Sequence, residues 1–391
     1  MSQPGAAPAD LTVCYFGTYR ANYSRNQIML AGLRAAGVTV IECHVPLWRG
    51  IEDRVQVAGG QWRSLGFVKR VLATYGQLLA QYRALDKNYD VLVVGYPGQL
   101  DVFLARLLSW WQGKPLVLDL FMSIYLIAQE RGLAAKSPLG IRLLGWLEAG
   151  GCRLPNRLIC DTAAYVTWHQ QTHGLPPEQF RLVPTGADDR LFKPVATAPA
   201  TDGKFRVLYY GTFIPNHGVE TIIEAAHRLR EQPDICFELV GDGPTKAAAQ
   251  ALAATYGLDN LIFTSWLEKN ELLGKIAAAD LLLGVFGTTP QSLMTVQNKI
   301  YEGLAMAKPI ITGDAPTVRA VLQHGVHLYL VERASPQALA EGILKLQGDC
   351  KLRSQLASQG YNYFQNNFSI ACLGEQLRKY LEELILNFGD S

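Results

Sequence analysis

The residues best placed to do chemistry lie in the second half of the chain, between Asn298 and Glu302. Asn298 is predicted to cap a helix, so that Lys299 and Glu302 fall in its first turn, at the positive end of the helix dipole. A carboxylate there can accept hydrogen bonds from the hydroxyls of a sugar or ribose, while the ammonium and the backbone N–H groups can hold a phosphate. The alternative is a capping Asn followed by a Glu that only compensates the helix dipole.

Two glycine-rich loops in the same half are suited to binding phosphate. They read GTFIPNHG at residues 211–218 and GDGPTK at residues 241–246, and each follows a predicted strand and opens a helix. In an open α/β sheet, such loops lie together at the carboxyl ends of the strands. A lone Gly-x-Gly is weak evidence, but these two loops together with the helix start at 298–302 indicate a nucleoside-diphosphate site. The candidate contacts in this half are Gly211, Thr212, Phe213, His217, Gly241, Gly243, Lys246, Trp266, Asn298, Lys299 and Glu302.

The elements that must position these residues form two similar series. Residues 13–19 and 207–213 are nearly the same apolar and aromatic run around a Gly-Thr pair, which makes Gly17 the counterpart of Gly211 and a further candidate contact. After each run, short apolar strands alternate with helices, which predicts an α/β fold with two parallel sheets, each covered on both faces. Strands are predicted at 11–16, 38–43, 90–95, 115–119, 205–210, 235–240, 261–263, 280–285 and 308–312.

This alternation also predicts the domain boundaries. A disordered tail at 1–10 precedes an N-terminal Rossmann-like domain at 11–192, and a Pro-, Ala- and Thr-rich linker at 193–204 leads to a C-terminal Rossmann-like domain at 205–370. A final helix at 371–391 carries leucines at helical spacing and is expected to pack back towards the N-terminal domain.

Composition excludes several classes of protein. The chain of 391 residues is 49% hydrophobic and 18% charged with a net charge of +2, which does not favour nucleic-acid binding or disorder. Its seven cysteines form no C-x-x-C pair, so neither a disulfide framework nor a zinc knuckle is expected. With no predicted signal peptide and no membrane-spanning run, we expect a cytoplasmic protein.

The motif order resembles a known family. GTFxPxHG, VGDGPTK and NKIYEGLAMAKPIITGD are similar to the donor-binding lobe of glycosyltransferase family 4, and the resemblance extends over residues 11–388. It implies the GT-B fold, in which two Rossmann-like parallel-sheet domains face each other across a cleft. It also implies transfer of a sugar from a nucleoside-diphosphate sugar, with retention, to a glycan, lipid-linked or small-molecule acceptor.

The resemblance assigns roles to several of the candidate residues. Glu302 matches the family glutamate that binds the ribose hydroxyls, and Gly211 matches the glycine of the diphosphate loop. Thr212 stands where many members have arginine and His217 where many have lysine, so Lys299, His217 and Lys246 are expected to supply the positive charge. Met294 replaces the first acid of the family's E-x7-E pattern. No Asp-x-Asp motif occurs, so we expect neither a metal nor another cofactor.

The N-terminal domain is expected to receive the acceptor. Tyr19, Arg20, Tyr23 and Arg25 follow Gly17 in a polar loop that is suited to the acceptor or to the transferred sugar. Asp119 ends a predicted strand where a base or an acceptor-orienting group could lie, and with His217 and Lys299 it completes the candidate catalytic set.

A membrane contact is the second expectation for this domain. Residues 54–85 contain five basic and no acidic residues, which fits either a peripheral membrane contact or a packed helix with a solvated basic face. Trp110 and Trp111 leave the same two alternatives open, with core packing favoured.

Two weaker signals lead to other expectations. His169 and His173 have a spacing that can bind zinc, but no third ligand is evident and a solvent-facing or capping pair is expected. Two alternative functions stay open. The departures at Thr212 and Met294 favour a catalytically degenerate paralogue that binds a nucleotide sugar or a partner, and the shared fold also allows a sugar-nucleotide epimerase.

Overall fold

A computed structural model describes residues 10–47, 64–195 and 202–388, and in it the chain forms two compact units. The first unit extends to Pro184 and resumes at Ile370, and the second comprises Thr185–Ser369. Each unit is built on its own six-stranded parallel sheet, which confirms the α/β prediction.

The first unit has the strand order β2-β1-β3-β4-β5-β6. Its strands are β1 (Thr12–Gly17), β2 (Thr39–His44), β3 (Val91–Val94), β4 (Leu116–Phe121), β5 (Arg157–Cys160) and β6 (Phe180–Leu182). Its helices before the second unit are α1 (Ser24–Ala35), α2 (Leu65–Ala84), α3 (Asp101–Gln112), α4 (Ile124–Glu130), α5 (Leu133–Lys136), α6 (Pro138–Arg153) and α7 (Ala163–His173). Since β3 and β4 are buried along their whole length, their continuous apolar sequences are those of central parallel strands.

The second unit has the strand order β12-β11-β10-β7-β8-β9. Its strands are β7 (Phe205–Tyr210), β8 (Ile235–Val240), β9 (Leu261–Thr264), β10 (Leu281–Leu283), β11 (Ile310–Gly313) and β12 (Tyr329–Val331). Its helices are α8 (Val219–Arg228), α9 (Lys246–Tyr256), α10 (Lys269–Ala278), α11 (Pro290–Met294), α12 (Asn298–Ala305), α13 (Pro316–Arg319), α14 (Pro336–Gly348) and α15 (Cys350–Asn367).

The last helix, α16 (Ile370–Phe388), belongs to the first unit. It packs on α1, where a Cβ added at Gly374 would lie 2.0 Å from the carbonyl oxygen of Gly32. Only glycine permits two helix backbones to approach so closely. Leu373, Leu377 and Leu381 then complete the hydrophobic core on this face of the sheet.

The division into units differs from the predicted boundaries. Residues 185–192 belong to the second unit, because Ala187 is buried in its core and Phe192 packs against that core. Residues 196–201 of the predicted linker and residues 1–9 of the predicted tail lie outside the described part of the chain. Among the described helices, none is both long enough and apolar enough to cross a bilayer.

Candidate active site

The glycine loops after β7 and β8 lie in direct backbone contact. The N–H of Phe213 donates to the carbonyl of Asp242 at 2.8 Å, and a Cβ added at Gly241 would lie 2.0 Å from the carbonyl oxygen of Gly211. A Cβ at Gly243 would likewise lie 2.5 Å from the carbonyl oxygen of Phe213. All three glycines have positive φ angles, of 142°, 137° and 151°, in a region that side chains other than glycine rarely adopt. The glycines therefore fix the two loops against each other.

Helix α12 brings the third segment to these loops. It begins at Asn298, and its N-cap is Gln297, which makes no side-chain capping bond, so Asn298 is not the predicted cap. Lys299 is the second helical residue and Glu302 is the fifth, one turn further along the same helix.

Lys299 is buried without a hydrogen-bond partner. The residue is 7% exposed, and its Nζ makes no hydrogen bond to any described residue. Nζ lies 3.9 Å from the centre of the Tyr209 ring, and a Cβ added at Gly211 would lie 3.0 Å from it. Burial lowers the pKa of Lys299 to about 7, against the opposing effect of the Glu302 carboxylate. A cation–π contact replaces only part of the lost hydration, so this ammonium is suited to an anion that enters beside Gly211.

Glu302 is oriented by a tyrosine of β7. The hydroxyl of Tyr210 donates to Oε2 of Glu302 at 2.9 Å and also contacts the carbonyl of Lys299 at 3.3 Å. Burial raises the pKa of Glu302, while the Tyr210 hydrogen bond and the charge of Lys299 act in the opposite direction. Neither Tyr209 nor Tyr210 was predicted as a site residue, although both belong to the repeated run at 207–213.

His217 and Lys246, which were also expected to supply positive charge, already have partners within the second unit. Nδ1 of His217 lies 2.7 Å from the Tyr209 hydroxyl, and burial together with the charge of Lys299 moves the pKa of His217 well below its usual value. His217 is therefore neutral at physiological pH and adds no charge. The ammonium of Lys246 donates to the carbonyl of Gly241 at 2.8 Å, so it fastens its own loop.

The remaining donor-side candidates occupy different environments. Phe213 is fully buried and packs edge-on against Tyr209. Trp266, in the segment after β9, is 68% exposed. Thr212 is half-buried beside Gly211, and Met294 ends α11. Gly17 lies in the first unit, where a Cβ would come within 2.6 Å of the Asp101 carboxylate.

Asp119 and Arg25 form a buried ion pair in the first unit. Nη2 of Arg25 lies 2.9 Å from Oδ1 of Asp119, and both side chains are fully buried. Nη1 of Arg25 donates to the carbonyls of Val183 and Pro184, so the guanidinium joins α1, β4 and the segment after β6. The pair therefore links three segments of the first unit. Asp119 is not a free base, and Arg25 is not exposed to contact an acceptor, so neither side chain has the predicted role.

Of the other acceptor-side candidates, Tyr19 is also committed to an internal contact. It is 1% exposed, donates to Glu42 at 2.8 Å and stacks on His44 at 4.1 Å. Arg20 and Tyr23 remain partly exposed and contact each other, with the guanidinium 5.6 Å from the ring centre.

A titratable group that the sequence analysis missed is Asp161, directly after β5. Burial raises its pKa to about 7, with the Arg25 guanidinium acting in the opposite direction. Phe121, at the end of the neighbouring β4, has a left-handed φ of 57°, which is uncommon for an aromatic residue. In the sequence, the only signal for Asp161 is that it follows directly after a strand.

Part of the second unit matches a known protein family. Residues 204–349 match the family model described as Glycosyl transferases group 1. The chain is 24% identical to alpha-D-kanosaminyltransferase of Streptomyces kanamyceticus over 293 residues, which cover 72% of this chain and 74% of that protein.

Solved structures show the same fold. Sucrose-phosphate synthase of Thermosynechococcus elongatus superposes with a TM-score of 0.72 at 17% identity, covering 97% of this chain and 100% of that one. HepE of Anabaena, solved in complex with UDP-glucose, superposes with a TM-score of 0.66 at 18% identity, covering 96% of this chain and 99% of that one.

Proposed function

We propose that this chain, which is a glycosyltransferase with the GT-B fold, takes its sugar from a nucleoside-diphosphate sugar held by the second unit. The observation that carries the proposal is the Lys299 ammonium, which is buried and has no hydrogen-bond partner among the described residues. A diphosphate beside Gly211 gives this cation its counter-charge and gives the loop its anionic ligand.

Glu302 supplies the contact to the nucleoside. Tyr210 occupies Oε2 of the carboxylate and thereby fixes the direction of Oε1. A carboxylate held in this way can accept hydrogen bonds from the ribose hydroxyls, one helical turn from the ammonium that binds the phosphates. The known ligand of HepE, UDP-glucose, is a molecule of this kind and supports the proposal.

The reaction that we propose needs leaving-group stabilisation above all. As the bond between sugar and phosphate breaks, negative charge develops on the departing diphosphate, and the Lys299 ammonium with the backbone N–H groups of the Gly211 loop stabilises it. We propose that no metal ion bridges the phosphates and that the configuration of the sugar is retained. The proposal of retention follows from the family resemblance.

Calorimetric titration tests the donor site. Wild-type protein, Lys299→Met and Lys345→Met are titrated with UDP, GDP, ADP and dTDP, and each diphosphate is compared with its free nucleoside. Lys345 is the matched control, since it is a 56%-exposed lysine of the same unit. We expect Lys299→Met to weaken the preferred diphosphate at least about tenfold and to leave the nucleoside unchanged. Equal diphosphate affinities in the wild type and Lys299→Met would refute the site.

A turnover assay with the preferred donor separates the alternative functions. Proton NMR of the reaction mixture shows whether a glycoside forms and whether its anomeric configuration matches that of the donor. Transfer with retention is the expected outcome. Inversion would refute that part of the proposal, conversion of the donor sugar without an acceptor would identify an epimerase, and binding without turnover would identify a degenerate paralogue.

We further propose that the first unit docks on a membrane, where a lipid-linked acceptor would be reached. Exposed apolar side chains lie on α2, α3 and α6, and we call them the apolar surface. Its most exposed members are Leu65, Leu72, Leu107, Trp110, Trp111, Leu139 and Trp146, which are between 60% and 80% exposed. The three helices adjoin, because Tyr75 of α2 bonds Asp101 of α3 and Gly151 of α6 packs on Val102 of α3.

The apolar surface only partly overlaps the basic segment at 54–85 that the sequence indicated. On α2, Leu78 and Tyr82 are buried in the core, and Arg54 and Arg63 of the basic segment lie outside the described residues. Trp110 and Trp111 are instead exposed, against the expected core packing, and Arg106 and Lys87 lie over their rings. Aromatic side chains next to cations are typical of a peripheral membrane contact.

Liposome flotation tests this docking. We expect the wild type to float with vesicles that contain anionic lipid, and Trp110→Ser/Trp146→Ser to remain at the bottom of the gradient. Trp266→Ser is the matched control, because it removes an equally exposed tryptophan from the other unit. Flotation of the double variant at the wild-type level would refute the proposal.

A further inference from the structure

We propose that Glu148, His169 and His173 of the first unit bind a divalent transition-metal ion, with zinc as the ion that fits them best. Glu148 lies on α6 and the two histidines lie on α7. One ligand atom from each residue can be chosen so that all three lie within 4.8 Å of one another. These residues belong to the first unit and the proposed donor site belongs to the second, so the two proposals are independent of each other.

His169 is the group that most needs a partner. It is fully buried, and among the described residues neither of its ring nitrogens has a hydrogen-bond partner. A buried polar group without a partner is costly, and a metal ion would satisfy one of these nitrogens.

The two histidines are arranged as a ligand pair. Their separation of four residues places them on one face of α7, with ring centres 5.6 Å apart. Trp168 packs edge-on against both rings, and Phe180 stacks on His169, so the rings have little freedom to turn away.

Glu148 supplies the third ligand and a negative charge. Its Oε1 is hydrogen-bonded to Nε2 of His173 at 3.1 Å, a separation close to the value of about 3.3 Å between neighbouring ligands of a tetrahedral zinc ion, which would replace the shared proton. The hydroxyl of Ser123 donates to Oε1 at 2.6 Å, and the N–H groups of Ile124 and Tyr125 donate to Oε2. Such bonds hold a ligating carboxylate in position, as outer contacts do around known zinc ions.

The chemistry of the three ligands decides which ion is bound. Two imidazole nitrogens and one carboxylate oxygen suit zinc and neighbouring first-row ions, whereas magnesium and calcium prefer oxygen ligands alone. Bound there, the ion would join α6, α7 and, through Glu148, the start of α4. It would therefore act as a structural cross-link of the first unit.

The test measures zinc bound to full-length protein without a histidine tag. Wild type, His169→Gln and His227→Gln are stripped with a chelator, dialysed against buffered zinc and analysed by mass spectrometry for zinc per chain. His227 is the matched control, a partly buried histidine of the second unit that stacks on Tyr256. We expect one zinc per chain in the wild type and in His227→Gln, with a rise in unfolding temperature on zinc addition, and neither effect in His169→Gln.

A second measurement covers the case in which His169→Gln does not fold. Cobalt is added to the stripped wild type, and a four-coordinate site with imidazole ligands is expected to give intense visible absorption that zinc displaces. His173→Gln is expected to lose this absorption. A wild type that retains no zinc and gives no cobalt absorption would overturn the proposal, as would a His169→Gln variant that binds zinc as the wild type does.

Discussion

Replacement of Lys299 by methionine should stabilise the unliganded protein while it removes donor binding. The side chain is nearly isosteric but carries no charge, so it relieves the burial of an ammonium that makes no hydrogen bond to the described residues. Binding sites commonly retain such destabilising groups because the ligand supplies the missing interaction. Stability and affinity should therefore change in opposite directions at this one position.

The size of the effect follows from the pKa of Lys299. Its folded value of about 7 lies well below the ordinary value of 10.5. At 1.36 kcal/mol for each pH unit, this difference corresponds to a penalty of about 5 kcal/mol when the lysine is protonated in both states. Between pH 7 and 10.5 the unfolded chain binds more protons than the folded chain, so the free energy of unfolding of the wild type rises with pH. The Met variant should therefore be more stable by about 5 kcal/mol at pH 6 and by about 2 kcal/mol at pH 9.

Urea unfolding at pH 6 and pH 9 measures this difference. Because the chain has two units, the transition to follow is the one whose midpoint rises when the preferred nucleoside diphosphate is added. Lys345→Met should shift the free energy of unfolding by less than about 0.5 kcal/mol at either pH. If Lys299→Met and wild type show the same dependence of stability on pH, the lysine is not buried as an unpaired cation and the reasoning fails.

The remaining predictions concern other groups of the two units. Glu302→Gln should weaken a nucleoside diphosphate about tenfold or more and leave pyrophosphate binding unchanged, as measured by calorimetry; equal losses for both ligands would place Glu302 at the phosphates. Asp119→Asn should lower the free energy of unfolding by about 3–5 kcal/mol in urea, because Arg25 keeps a buried charge; a loss below about 1 kcal/mol would argue against the ion pair. The pKa of Asp161 is raised to about 7, so between pH 4 and 7 the folded state binds more protons than the unfolded state and its stability falls as pH rises. Asp161→Asn should therefore raise the free energy of unfolding at pH 8 and leave it unchanged at pH 5. A gain at both pH values in urea unfolding would contradict this. Turnover in a short assay should be the same with EDTA and with added magnesium, and a magnesium-dependent rate would show that a metal ion bridges the phosphates.

Much of the fold could be predicted from the sequence because its local signals agree with one another. The strand predicted at 205–210 is β7 with the same bounds, since β-branched and aromatic residues end abruptly at Gly211. The GT-B fold that the family resemblance implied is confirmed by the solved structures. The cap predicted at Asn298 was one residue out, because Asn298 is the first residue of the helix and Gln297 is its N-cap.

The loops of the candidate site could be selected from the sequence, but the state of the side chains around them could not. Gly211, Gly241 and Gly243 were selected from their spacing, and the structure brings their loops together. Whether a cation is free or already bonded depends on residues far along the chain, as in the pairing of Arg25 with Asp119 across 94 positions. The ligand contacts of all these residues remain predictions.

The same limit explains why the third residue of the proposed metal site was missed. His169 and His173 were visible as a pair, while Glu148 lies on another helix and no spacing rule connects it to them. Only the packing of α6 beside α7 brings its carboxylate within reach of the imidazoles.

The position of α16 has a consequence for the order in which the chain can fold. A ribosome completes the second unit before it reaches Ile370, yet Leu373, Leu377 and Leu381 belong to the core of the first unit. Until those residues emerge, the groove beside α1 exposes apolar side chains and the backbone of Gly32 to solvent or to a chaperone. The first unit is thus the first to be synthesised and the last to be completed.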